Sequence, residues 1–155
     1  MITRAHHHGF TLLEMMVTLG VLSVGAASAI ATLMQMNYDA TLCRLKTGAG
    51  TVAQGQIDYL LSIQPYNPQQ GQVPPQLAVG TQLTGSSTNP TVPIYTDPAT
   101  GNVVVYGWIV TTVADTNQVI NTVNLNLRTA DVKVFYVFRG TTYSVEFNTM
   151  RTSDI

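Results

Sequence analysis

Among the side chains of this chain that could do chemistry, Glu14 stands out because of its surroundings. Phe10 to Met34 reads F-T-L-L-E-M-M-V-T-L-G-V-L-S-V-G-A-A-S-A-I-A-T-L-M, and Glu14 is the one formally charged residue between Arg4 and Asp39. A carboxylate inside an apolar helix of spanning length costs about 2.5–3.5 kcal/mol on insertion scales, so it calls for a function. A cut after Gly9 would leave a free α-amine on Phe10, one turn from Glu14. The carboxylate would then neutralise that amine, or the amine of a neighbouring copy, in surroundings of low dielectric. The chemistry this points to is charge pairing between packed helices.

Other chemistry-bearing residues read more plainly. His6, His7 and His8 form a weakly basic patch in a leader rather than a metal site. Cys43 has no basic partner, since every histidine lies in that leader, and it reads as a buried or spare thiol. A single cysteine excludes an internal disulfide framework and any multi-cysteine metal centre. Asp97, Asp115 and Asp131 each fall in an isolated turn, without the clustered oxygen ligands that calcium requires. Tyr106, Trp108, Phe135, Tyr136, Phe138, Tyr143 and Phe147 alternate partly with polar neighbours, as sheet core and cross-strand pairs do. No catalytic constellation emerges, and the chain reads as a non-enzyme with no cofactor and no metal.

The elements that must position Glu14 follow from the patterning. At 155 residues the chain has room for one ordinary domain. Charged residues are only 10%, with a formal net charge of −1 and no block of either sign, so the footprint of a nucleic-acid binder is missing. Residues 1–9 form a short polar leader whose fixed charge, Arg4, favours a cytoplasmic N-terminus. Residues 10–34, 25 in number, would make a helix of about 37 Å, enough to cross a membrane. Within them Gly25 and Ala29, like Ala27 and Ala31, have the small-xxx-small spacing of closely packed helices. Residues 35–63 continue the helix as an amphipathic half. Tyr38, Leu42, Leu45, Ala49, Val52, Ile57, Leu60 and Leu61 mark its apolar stripe, and Pro65 ends it. Gly48, Gly50 and Gly55 weaken it by up to ~1 kcal/mol each, which predicts a bend or frayed turn near Gly48.

Residues 64–91 are rich in proline and glycine and read as an irregular connection, pinned to a core by Leu77, Val79 and Leu83. From residue 92 to 155 the period becomes two. Strands are expected at Val92–Thr96, Asn102–Val113, Val119–Leu127, Val132–Phe138 and Thr142–Phe147. Turns are expected at residues 97–101, 115–117 and 129–131 and at Arg139-Gly140. The predicted class is α+β: a long N-terminal helix whose second half packs on a small antiparallel sheet.

Gly9-Phe10-Thr11-Leu12-Leu13-Glu14, behind a short basic leader and ahead of the apolar run, resembles the type IV pilin and type II secretion pseudopilin family. The resemblance implies cleavage by a prepilin peptidase between Gly9 and Phe10 on the cytoplasmic side, with N-methylation of Phe10. It implies a subunit held in the bacterial inner membrane by its helix, in contact with lipid. A platform protein and an assembly ATPase would then draw it into a filament with other pilin subunits, ending as a periplasmic pseudopilus or a cell-surface pilus. Glu14 would there meet the amine of an adjacent subunit. The chain departs from many members in having no proline from Ser23 to Ala31 and no cysteine pair, and Met16-Val17-Thr18 is similar to minor pilins. The competing expectation is an exported or membrane-anchored β-rich binding module with a conventional signal peptide, cut near Ala27-Ser28-Ala29 or Ala29-Ile30-Ala31.

Overall fold

The computed structural model describes residues 11–63, 65–116, 118–120 and 123–154. One helix, α1, covers Leu12–Ser62. Two short 3-10 turns follow at Pro68–Gln70 and Pro75–Leu77. The strands are β1 (Gly80–Thr84), β2 (Val92–Thr96), β3 (Val103–Asp115), β4 (Gln118–Ile120), β5 (Val123–Leu125), β6 (Arg128–Phe138) and β7 (Thr141–Arg151). This is the expected α+β arrangement, a long helix followed by an antiparallel sheet. The chain divides into two compact units, residues 1–41 and 42–155.

The first unit is helical from Leu12 onward, and every described residue from Thr11 to Asn37 is exposed. Alanine, leucine and methionine favour the helix, and neither Gly20 nor Gly25 interrupts it. An 18-residue window within α1 has a mean hydropathy of 1.9 and none of it is buried, so the helix is long and apolar enough to cross a membrane.

In the second unit, Leu45, Ala49, Ala53, Ile57 and Leu60 form the buried face of α1, spaced by four and three residues as one helical face demands. Ala53 joins the expected stripe, while Leu61 is 41% exposed and leaves it. Opposite them stand Ile94 of β2, Ile109 and Val113 of β3, and Ala130, Val132, Val134 and Tyr136 of β6, closed at the ends by Tyr66 and Leu77. The alternation along β3 and β6 sends every second side chain into this core.

The sheet runs β1-β3-β6-β7, with β2 also on β3. β1 pairs with the Ile109–Val113 half of β3, and β2 with its Val103–Gly107 half, so two short strands share one edge. β3 pairs with β6 and β6 with β7 through long antiparallel registers. The link from β6 to β7 is a two-residue turn in which Arg139 (φ 49°) and Gly140 (φ 79°) are both left-handed, the geometry that matches strand twist.

Several expectations are corrected. The stretch 64–91 contains β1, which pairing with β3 holds as a strand although Gly80 and Gly85 flank it. Leu77 anchors that stretch, whereas Val79 and Leu83 are exposed. The strand expected over Val119–Leu127 is instead a separate hairpin of β4 and β5. Its asparagines at 121, 124 and 126 are poor material for one long strand. Residues 129–131 are not a turn, because β6 starts at Arg128. Asp131 therefore sits within the sheet, opposite Thr112 on one side and Asn148 on the other.

Gly48 does not break α1. A Cβ there would collide with the carbonyl oxygen of Ile94. Its glycine lets the helix backbone press directly onto β2. Gly107 of β3 is crowded as well: a Cβ there would strike the Phe135 carbonyl and approach Ile94 Cγ1 to 2.9 Å.

Candidate assembly site at the helix N-terminus

Thr11 begins the site. Its hydroxyl oxygen accepts the backbone N–H of Glu14 at 3.2 Å, and its carbonyl accepts the N–H of Met15 at 3.1 Å. This is N-cap geometry, so Thr11-Leu12-Leu13-Glu14 has the spacing of a capping box. Glu14 lies in the first turn, where the unpaired N–H groups of a helix favour negative charge. The sequence reading missed this second reason for the pair, although threonine three residues before glutamate is its signal.

The other hydroxyls of the apolar segment are turned back on the helix. Thr18 donates to the Met15 carbonyl (3.0 Å), Ser23 to Gly20 (2.8 Å), Ser28 to Gly25 (2.8 Å) and Thr32 to Ser28 (2.9 Å). Each hydroxyl thus satisfies its hydrogen locally, as an apolar medium requires. Glu14 is the exception, since its carboxylate has no partner among the described residues. Gly25 and Ala29 are both exposed, and a Cβ at Gly25 would meet nothing within 4 Å. Gly9 and Phe10, the expected junction, and His6 to His8 lie outside the described residues.

The second unit keeps its charges in a different way. Arg151 is buried, with side-chain exposure of 8%; it donates to the Leu60 carbonyl at 2.7 Å and to Asp154 Oδ2 at 2.9 Å. That carboxylate also accepts the Tyr66 backbone N–H at 2.9 Å, and the Asp154 N–H donates back to the Tyr66 carbonyl at 2.7 Å. Arg128 binds Asp115 Oδ1 at 2.8 Å and donates to the Leu77 carbonyl. Both guanidiniums lie 5.5 Å from the centroid of the Tyr66 ring. Burial pushes the Tyr66 hydroxyl above its ordinary pKa, and the two arginines oppose that shift. The cluster fastens Arg151 and Asp154 to Leu60 at the end of α1 and to Tyr66 beyond it.

The three aspartates have separate duties. Asp97 accepts from Ala99 N–H (3.1 Å) and the Thr100 hydroxyl (2.8 Å), closing the turn to β3, and these bonds hold its pKa down. Asp115 pairs with Arg128 at the end of β3. Asp131 has one oxygen buried without a hydrogen-bond partner, and burial and then Glu146 push its pKa up against Lys133. Among the described residues no three His, Cys, Asp or Glu side chains converge as a metal site would need. Cys43 is exposed rather than buried.

Residues 4–30 match the family model described as the prokaryotic N-terminal methylation motif. No curated protein and no solved structure matches the chain. The matched stretch contains Gly9 and Phe10, the Thr11 cap, Glu14 and most of the apolar segment. The chain therefore carries the N-terminal motif of the type IV pilin and pseudopilin family and is prepilin-like.

Proposed function

We propose that this chain is a structural subunit of a type IV pilus or a type II secretion pseudopilus. In this reading a prepilin peptidase cuts after Gly9 and methylates the new N-terminus at Phe10. The subunit rests in the inner membrane with its N-terminus cytoplasmic, and a platform protein and assembly ATPase move it into the filament. Its role is mechanical rather than enzymatic.

One observation carries the reading: residues 12–34 of α1 are apolar and fully exposed, and among the described residues their one polar side chain not satisfied within the helix is Glu14, in the first turn. A lipid bilayer and a bundle of like helices are alternative apolar homes for such a surface, so transfer between them need not wet it. Glu14 is costly in the first and paired in the second, where an α-amine of a neighbouring Phe10 meets it. Gly25 and Ala29 supply a smooth strip for close helix approach.

Intact-mass and N-terminal analysis of the membrane-fraction protein tests the processing step. The expected terminus is methylated Phe10; a terminus at Ile30 or Thr32 would mean conventional export and end the proposal. Glu14→Ala should mature normally and remain in the membrane yet give few filaments. Wild-type filament yield from that variant would remove the pairing role.

A further inference from the structure

The two edges of the main sheet are built differently. On one edge, β3 is covered by two five-residue strands, and β2 brings Pro93 and register irregularities between Pro93 and Thr96. Short strands, proline and bulges are the devices by which proteins protect an edge from further pairing. The other edge is β7, eleven residues long, paired to β6 alone among the described residues and without a register shift. Thr141 to Met150 contains no proline and no lysine, and Glu146 is its one charge. An edge so long and regular presents a row of backbone donors and acceptors ready for another strand.

A second element has the opposite deficit. Among the described residues β4 and β5 pair only with each other, over three residues each, off the main sheet. A two-stranded hairpin is at best marginally stable in water and gains from a third strand. The run from Thr116 to Leu127 carries no charge of either sign, so it can approach Glu146 without like-charge repulsion. Pairing of β7 with its own copy about its midpoint would instead set Glu146 against Glu146.

We propose that the β7 edge of one copy receives the β4–β5 hairpin of a second copy by antiparallel or parallel strand addition. Donor and acceptor are different surfaces, so the contact is head-to-tail and propagates, whereas a β7–β7 contact would close a dimer. The inference rests on the filament-subunit reading and adds to it a contact made outside the apolar helix.

The test uses the full-length chain in cell envelopes, in a Cys43→Ser background. Ser144→Cys places a thiol on β7 and Asn124→Cys places one on β5, and a flexible bis-maleimide joins thiols brought together. The double variant should give a ladder of dimers, trimers and higher forms on a denaturing gel, and each single variant only monomer. Asn124→Cys combined with Thr84→Cys, on the protected edge, should give no ladder. Absence of a ladder from the first pair, dimers from Ser144→Cys alone, or an equal ladder from the Thr84 pair would each overturn the pairing. N-terminal mass is read on the same samples. A ladder on protein still carrying its leader supports the pairing and overturns the processing, whereas no ladder on methylated protein overturns the pairing alone.

Discussion

The two units of this chain treat polar groups in opposite ways. In residues 12–34 every hydroxyl is closed onto the nearest helical turn, the surface is apolar all round, and the single carboxylate is left open. In residues 42–154 polar groups are paired over long sequence distances, as in Arg151 with Leu60 and Asp154 with Tyr66. Among the described residues the first unit contributes nothing to the buried core and its surface asks for an apolar environment; the second holds the core. The difference teaches that folding and the proposed helix-to-helix packing are separately encoded, so a substitution that touches one of them should leave the other intact.

The largest effect expected from breaking that separation is at Gly48. Gly48→Val drives a side chain into the Ile94 carbonyl, and overpacking against backbone should cost about 3 kcal/mol. Urea unfolding followed by the fluorescence of Trp108, the only tryptophan and a residue of β3, reads this loss. Gly25→Val, in open space, should leave that transition unmoved and lower filament yield. If both variants unfold alike, the division fails.

Arg151→Met should come next. It deletes the charged donor to Leu60 and leaves the Asp154 carboxylate with only the Tyr66 backbone, for about 2 kcal/mol. The same unfolding curve measures it, and N-terminal maturation should be unchanged. A smaller change belongs to the first unit: Thr11→Ala removes the cap and should cost the helix start about 1 kcal/mol. Faster amide exchange confined to the first turn is the expected signature, with the Trp108 transition unaffected.

The same contrast explains what could be read from the chain alone. The helix and its carboxylate are legible because their signals are local, in an unbroken apolar run and a charge within it. Strands with valine-rich alternation, such as the one expected at Asn102–Val113 and found at Val103–Asp115, are legible for the same reason. β1 is not, because Thr81-Gln82-Leu83 between two glycines becomes a strand only when Thr111 and its neighbours in β3 supply the ladder. Nor is the role of Gly48, since a close approach depends on a strand 46 residues away. Asp131 was misread for a related reason: Thr129-Ala130-Asp131 has turn-like composition, and cross-strand pairing on both sides overrides it.

Asp131 also supplies the smallest and most specific test of the second unit. Its pKa is raised in the folded protein, first by burial and then by Glu146, with Lys133 working against the rise. Lys133 faces both carboxylates, at 3.1 Å from Glu146 and 3.8 Å from Asp131, so it serves the exposed partner more closely than the half-buried one. An acid whose folded pKa is raised holds its proton longer in the folded state than in the unfolded one. Stability then declines as pH climbs from the unfolded carboxylate value, about 4, through the higher folded value. Asp131→Asn keeps the shape and removes the titration. The difference between the wild-type and Asp131→Asn unfolding midpoints should therefore be small at acidic pH and should widen in favour of the variant as pH rises to neutrality. A difference that stays flat with pH, or that widens in favour of the wild type, would mean that Lys133 outweighs burial at this position.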